Sequence, residues 1–301
     1  MADFKKNVAK DPTRTIVLRR QFIAAMNARF RFLKNEIKKV IVDENFLVAE
    51  KQEIKTPVVM ADVFEYRWAE EKAREFRIWL DRMVELRILE TFMVPVTRIS
   101  PSIGEEYWTD TFIRSAYQRG LSKANSEFAG MDVTKISELG GLMAVFTMPI
   151  HAERAGLIYS RVFTDLKGVT DAMSAQMSRT LALGMAEGLS PETVARNLID
   201  RVDKIGLTRA RLIARTEIVH AHNLGKLNEY ERIEVGLNEK ISVRWLTALD
   251  EKVRDTHRPR HNKIYERKKA QALLGEPNCR CTIIPYVRSL EETMVDFGRP
   301  D

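Results

Sequence analysis

Trp245-Leu246-Thr247-Ala248-Leu249-Asp250, Val253-Arg254-Asp255-Thr256-His257-Arg258-Pro259-Arg260-His261 and Pro277-Asn278-Cys279-Arg280-Cys281-Thr282 are the three runs whose reading decides the fold. Both cysteines of the 301-residue chain lie in them. Four of its five histidines, His220, His222, His257 and His261, lie in or just before them. Composition also turns here. Lys240 to Thr247 alternates and is β-prone, and Cys281 to Val287 is β-prone again. Upstream, apolar residues recur at three- and four-residue steps, the signature of amphipathic helices. The expected fold is mainly α, with long helices in the N-terminal two thirds and a small α+β C-terminal domain. The boundaries read as a basic amphipathic helix over 1–42, a helical region over 43–189 and the α+β domain over 190–301.

Outward from those runs, Ser190-Pro191-Glu192 opens a short helix to about Lys204, because serine caps free N–H groups and proline suits the first turn. Gly206 is expected to stop it, and Thr208 to cap a further helix to about Gly236. His151 to Gly188 reads as one or two helices with Met173, Met177, Leu181 and Met185 in phase, and His151 as a capping or surface residue. Gly104 to Ala129 places Tyr107 or Trp108, Phe112, Ala116 or Tyr117 and Ala124 at helical spacing. A helix from about Glu65 to Phe92 puts Phe76, Trp79, Leu80, Met83, Leu86 and Leu89 on its buried side, and Pro95 and Ser100-Pro101 end it. Residues 43–60 lose the pattern, with a break at Thr56-Pro57. The first helix starts at Asp11-Pro12 and carries the stripe Phe22, Met26, Phe30, Leu33, Ile37 and Ile41. The longest apolar run, Gly140 to Ile150, is broken by Thr147 and Pro149 and reads as a buried segment, so no membrane span is expected.

Charge is unevenly spread. The net charge is +7 and the pI about 9.3, yet residues 1–40 hold eleven basic side chains against three acidic ones, so the remainder is close to neutral. Arg14, Arg19, Arg20, Arg29, Arg31, Lys34, Lys38 and Lys39 are candidates for contact with a polyanion or an acidic protein surface. A solvated helix face is the other reading of the same residues. Double-stranded DNA would be held through its phosphates, without sequence preference and with strong salt dependence. Charged residues at 30% and apolar residues at 45% describe a globular chain. The first residues have no apolar signal core, so export is not expected. Two cysteines one residue apart do not readily pair with each other, and a reducing compartment suits them.

Two polar groupings need a role. Thr216, His220 and Asn223 share one face of a predicted helix, with Arg215 and Glu217 beside them. Asp250, Arg254 and nearby backbone are the expected partners. Such a face is a structural hydrogen-bonded network, or an active site in which Glu217 or His220 is the general base. His257, His261, Cys279 and Cys281 supply the N and S donors that tetrahedral zinc prefers. His257 and His261 would align on one helical turn, although Pro259 lies between them. Two buried reduced cysteines beside a basic loop is the other reading.

These residues also carry a resemblance. Arg209-Ala210-Arg211-Leu212-Ile213-Ala214-Arg215-Thr216-Glu217, with Ala221-His222-Asn223, Gly225 and Tyr230, resembles the first block of the phage Mu protein F-like head-morphogenesis family. Trp245-x-Thr247-x-x-Asp250-x-x-Val253-Arg254-x-x-His257 is similar to its second block, and Asn278-Cys279-Arg280-Cys281 to its third. The likeness spans about residues 190–286. Thr13-Arg14 and Leu18-Arg19-Arg20 are more loosely similar, and residues 43–185 share only helical character.

The resemblance implies a minor capsid protein of tailed phages, structural rather than enzymatic and present in few copies. Its implied partners are the portal protein, the major capsid or scaffolding protein, and packaged double-stranded DNA contacted non-specifically during assembly, packaging or ejection. Its implied place is the host cytoplasm during assembly, then the virion interior at the portal vertex. Many members have a histidine ahead of the Asn-Cys-Arg-Cys run, where this chain has Glu276, and some have cysteine at the position of His257. The fourth ligand of a zinc site would then be His261 or Glu276. A metal-dependent nuclease or transferase is the alternative function.

Overall fold

The computed structural model describes residues 11–55, 60–93, 105–129 and 149–287. Helix α1 (Ile16–Lys38) runs into a π-helical turn, Lys39–Asp43. Strands β1 (Ala49–Lys55) and β2 (Met60–Tyr66) form an antiparallel pair. Helix α2 (Ala69–Arg87) follows, then β3 (Thr91–Met93) and β4 (Glu105–Tyr107), which pair with each other. Three long helices come next: α3 (Asp110–Ala129), α4 (Pro149–Ala186) and α5 (Pro191–Leu237). The C-terminal part consists of β5 (Ser242–Leu246), a 3-10 turn (Arg258–Arg260), β6 (Ile264–Glu266), α6 (Arg267–Leu273) and β7 (Thr282–Tyr286). Its antiparallel sheet has the order β6-β5-β7, with Trp245 opposite Ile283. The fold is mainly α with a small α+β C-terminal part, as the periodicity predicts. Among the described residues no helix is long and apolar enough to cross a membrane.

The described chain divides into two compact units. One holds the residues up to Phe22, from Phe92 to Val162, and from Leu212 onward; the other holds Ile23–Thr91 and Phe163–Arg211. In the second unit the predicted α1 stripe is buried at Met26, Phe30, Leu33, Ile37 and Ile41. So is the α4 stripe at Met173, Met177, Leu181 and Met185. On α2 the buried line is Phe76, Leu80, Val84 and Ile88, each four residues on, and Leu86 lies off it at 55% exposure. The β1–β2 hairpin falls where the pattern is lost, because Glu50, Lys51, Gln52 and Glu53 show no apolar alternation. Backbone ties it down: the Phe64 N–H donates to the Gly188 carbonyl at 3.0 Å. Ser190 caps α5 as predicted, its Oγ accepting the Thr193 N–H at 3.3 Å.

Gly206 does not end a helix; α5 runs through it for 47 residues. A methyl group there would sit 2.6 Å from the Phe30 ring, so this glycine admits a close neighbour within a continuing helix.

In the first unit Asp11 does not cap α1. It accepts the Thr13 hydroxyl at 2.7 Å and pairs with Arg19 at 2.5 Å, ahead of a helix that begins at Ile16. Phe22 stacks against Trp108 and Phe112, with ring centroids 5.1 and 5.5 Å away. His151 is buried rather than on the surface, its Nδ1 2.8 Å from the Tyr117 hydroxyl. The C-terminal core gathers Phe128, Tyr230, Ile233, Val243 and Ile283 around the fully buried Trp245. The Thr56-Pro57, Pro95 and Ser100-Pro101 breaks, most of the Gly140 to Ile150 run, and residues 1–10 of the basic N-terminal stretch lie outside the described residues.

Helices α3 and α5 meet backbone to backbone. A methyl group at Gly120 would lie 2.0 Å from the His222 carbonyl oxygen, and one at Gly225 would lie 2.3 Å from that of Tyr117. Alanine in a helix gains about 1 kcal/mol over glycine, whereas overpacking costs about 1–3 kcal/mol or more. Against backbone that cannot rotate away, the second effect wins. Gly225→Ala is therefore expected to lose about 2 kcal/mol in urea denaturation. Gly168→Ala, where nothing lies within 4 Å, is expected to gain up to about 1 kcal/mol. Equal behaviour of the two variants would refute the close crossing.

Two α5 histidines set an acid limit. Burial, then the nearby Arg161, brings His220 down to about 4. Burial, then Lys226, brings His222 down to about 3. Both rings stay neutral in the fold, while the unfolded chain protonates them near the ordinary histidine value of about 6.5. Stability is fully present above that pH and is lost as pH falls towards the folded values, by on the order of 1.4 kcal/mol per pH unit for each ring. Denaturation of metal-free protein should give a clearly smaller unfolding free energy at pH 5 than at pH 7. Equal values would contradict the burial of neutral rings.

Candidate metal centre

The centre is built by three segments of the first unit. α5 supplies a clamp, the loop after β5 supplies an imidazole, and the loop before β7 supplies two thiols. Asn223 on α5 is buried and uses both ends of its amide. Its Nδ2 donates to the Cys281 carbonyl at 2.9 Å, and its Oδ1 accepts the Thr282 hydroxyl at 2.7 Å. Two turns earlier, Thr216 Oγ1 accepts the Asn278 N–H at 3.0 Å. One turn later, the buried Lys226 donates to the Ile283 carbonyl and pairs with Glu127 at 2.7 Å. One helix face thus holds the whole run from Asn278 to Ile283 by its backbone. Asn278 (φ 60°) and Gly275 (φ 85°) take left-handed conformations that bend the chain into that position.

The sequence-predicted donors do not all meet. His257, Cys279 and Cys281 converge, their ligand atoms lying within 4.8 Å of one another, and all three side chains are buried. His257 Nδ1 is 3.4 Å from Cys281 Sγ and 3.5 Å from Cys279 Sγ. The single residue between the cysteines suffices because the chain folds back, the Cys281 N–H pointing at Cys279 Sγ at 3.4 Å. His261 lies outside the group. The Arg258–Arg260 turn is 3-10 rather than α-helical, so residues four apart do not align. His261 Nδ1 instead accepts the Thr247 N–H at 3.1 Å.

Glu276 sits on the far side of His257, its Oε2 2.8 Å from Nε2. That bond fixes the ring with Nδ1 toward the sulfurs, the role of a carboxylate behind a ligating histidine. Glu276 in turn pairs with Arg254 at 2.8 Å and Arg260 at 3.3 Å.

Hydrogen bonding from the Cys281 thiol and backbone, with His257 adjacent, lowers Cys279 to about 6 despite its burial. The same pairing, with burial, raises Cys281. The pairing thus favours the thiolate at Cys279, the form that binds a metal. The trio could hold a metal ion.

The other predicted residues have plain positions. Asp250 grips Arg280 with both oxygens, at 2.5 and 2.6 Å, joining the second motif to the third. This hydrogen-bonded pair lowers the Asp250 carboxyl. Glu217 is buried and accepts from Arg161 at 2.8 and 3.2 Å. His220 lies beneath Gly275, where a methyl group would come within 2.4 Å of its Nδ1. Arg215 lines a cavity of about 280 Å³ beside the cluster, together with Lys252, Arg254, Arg280 and the three metal donors. Neither Glu217 nor His220 lines it.

Among the basic residues of α1 and its approach, Arg19 is buried on Asp11, Arg29 pairs with Glu90 at 2.7 Å and Lys34 with Asp203 at 2.7 Å. Arg14, Arg20, Arg31, Lys38 and Lys39 are exposed. Sequence reasoning missed Arg161 and Lys226 because each acts on a residue far along the chain; Thr247, Arg280 and Thr282 stood inside or beside the quoted motifs.

Residues 175–284 match the family model described as Phage Mu protein F like protein. An uncharacterized protein of Methanocaldococcus jannaschii is 31% identical over 120 residues, which make up 39% of this chain. The chain spans 18% of that relative's length. No solved structure matches the chain. The matched stretch contains all of α5, both loops of the centre and most of β7. Over residues 175–284, which build the candidate metal centre and its clamp, the chain is thus similar to the phage Mu protein F-like family.

Proposed function

We propose that this chain is a phage head-morphogenesis protein, a structural minor component of the head that associates with the portal vertex or inner capsid and contacts packaged DNA. The observation that carries the reading is the convergence of the three family-like runs on one folded knot. Thr216 and Asn223 hold the backbone of the third run, Asp250 holds its arginine and His257 faces its cysteines. Each of these contacts fixes chain to chain, as a structural part requires. The rival reading, a metal-dependent nuclease or transferase, needs Glu217 or His220 beside the metal. Glu217 is committed to Arg161, and His220, lowered to about 4, is covered by Gly275. Contact with DNA phosphates falls to the exposed Arg14, Arg20, Arg31, Lys38 and Lys39; the Lys39–Glu44 pair at 3.4 Å is a weak surface pair that does not tie that lysine down.

Zinc is the metal that suits the trio. With Zn–N about 2.0–2.1 Å and Zn–S about 2.3 Å, a tetrahedral site has an N–S edge of about 3.5–3.6 Å. The two His257–sulfur distances, 3.4 and 3.5 Å, are close to that edge. Bound zinc would supply a folding clamp at the point where two loops meet.

Elemental analysis of the purified chain is expected to give about one zinc per chain. In the Cys279→Ser, Cys281→Ser double variant, zinc and several degrees of thermal stability should vanish together. A metal-free wild type with an equally stable double variant would remove the zinc. The head assignment has a separate test: the chain should co-purify with portal and capsid proteins in procapsids made by the genome that encodes it. Its clean absence from purified procapsids and particles would sink that assignment.

A further inference from the structure

Three metal donors meet among the described residues, and among those residues no fourth stands with them. Glu276 is occupied behind His257, and His261 is turned to Thr247. The same three donors form part of the wall of a cavity of about 280 Å³, whose remaining charged lining is Arg215, Lys252, Arg254 and Arg280. Two of these cations are fixed in place, Arg280 by both oxygens of Asp250 and Arg254 by Glu276 at 2.8 Å and by the Pro277 carbonyl. The described lining of the cavity thus carries four cationic residues and no carboxylate beside the three metal donors.

We propose that this cavity is an oxyanion site that takes a terminal phosphate group, one oxygen on the metal and the others toward the basic wall. The proposal rests on the zinc reading above. A metal with three protein ligands keeps its fourth position for water or an incoming oxygen. A phosphate monoester brings a charge of roughly −1.5 to −2 and three acceptor oxygens, enough to reach a metal and two cations at once. A backbone diester has a single charge and no free end. The cavity is at or below the small end of ligand pockets, about 300–1,000 Å³, so it admits a phosphate and excludes a duplex. Lys252 is exposed on the turn after β5 and is the flexible member of the wall.

The test uses the full chain loaded with cobalt(II) in place of zinc, whose visible absorption reports the ligands around the metal. The probes are inorganic phosphate, a 5′-phosphorylated oligonucleotide and the same oligonucleotide ending in a 5′-hydroxyl. A saturable spectral change is expected with the first two and none with the third. A response to inorganic phosphate alone also supports the site and identifies free phosphate as its ligand. Lys252→Ala should weaken phosphate about tenfold and leave cobalt content and the phosphate-free spectrum unchanged. An equal response to the 5′-hydroxyl oligonucleotide would overturn the terminal-phosphate site. Cobalt bound with a spectrum that phosphate does not alter would overturn it too, while leaving the metal in place. Failure to bind cobalt at all removes the metal reading and this site with it.

Discussion

One buried amide sets the geometry on which the C-terminal part depends. Asn223 gives its N–H to the Cys281 carbonyl and takes the hydroxyl of Thr282, so both of its polar ends are satisfied by adjacent residues where the loop enters β7. A buried donor or acceptor left unmade costs about 1–3 kcal/mol. Sliding β7 by one residue would break both bonds and turn each of its side chains to the opposite face. The amide therefore fixes the register of β7 on α5, and with it the positions of Cys279 and Cys281. Thr216 and Lys226 act in the same direction at either side.

That clamp works because α3 and α5 approach closely. Gly120 and Gly225 allow backbone contact where any side chain would collide with a carbonyl. The approach brings Glu127 of α3 to Lys226 and to the hydroxyl of Tyr230, a charged group sealed by its partners. Burial and the facing carboxylate raise Tyr230 well above its ordinary value, so it stays a hydrogen-bond donor at any working pH. Breaking such a buried pair by removing one partner leaves an uncompensated charge. The pair thus ties α3 and α5 to one arrangement, in which Lys226 also reaches the Ile283 carbonyl of β7.

The metal donors fit the same logic. The cysteines belong to the apolar core by burial, yet their sulfurs turn to one imidazole whose far nitrogen is held by Glu276. Carboxylate, imidazole and thiols form a line from surface to core. A bound cation would join the β5–β6 loop to the strand that α5 already grips. Of the groups suited to proton transfer, Glu217 accepts from Arg161 and His220 lies beneath Gly275, and neither lines the cavity beside the cluster.

Much of this was legible in the residues. Helical periodicity placed the stripes of α1 and α4, Ser190-Pro191 located the start of α5, and the β-prone runs at 240–247 and 281–287 became β5 and β7. Periodicity failed where a glycine or a proline has two meanings. Gly206 reads as a stop, but its lack of a side chain serves the nearby Phe30 ring inside a continuous helix. The polar hairpin of β1 and β2 carries no alternation to detect. By itself the sequence determined the helical class, the residue types of the centre and the family of the stretch that builds it. Only the tertiary structure decided that Cys279, Cys281 and His257 meet while His261 does not, and that Glu276 stands behind the ring. The reason is physical: local pattern follows from neighbours along the chain, whereas the 3-10 turn at Arg258–Arg260 and the left-handed bend at Asn278 take their place from α5 and the sheet packed against them.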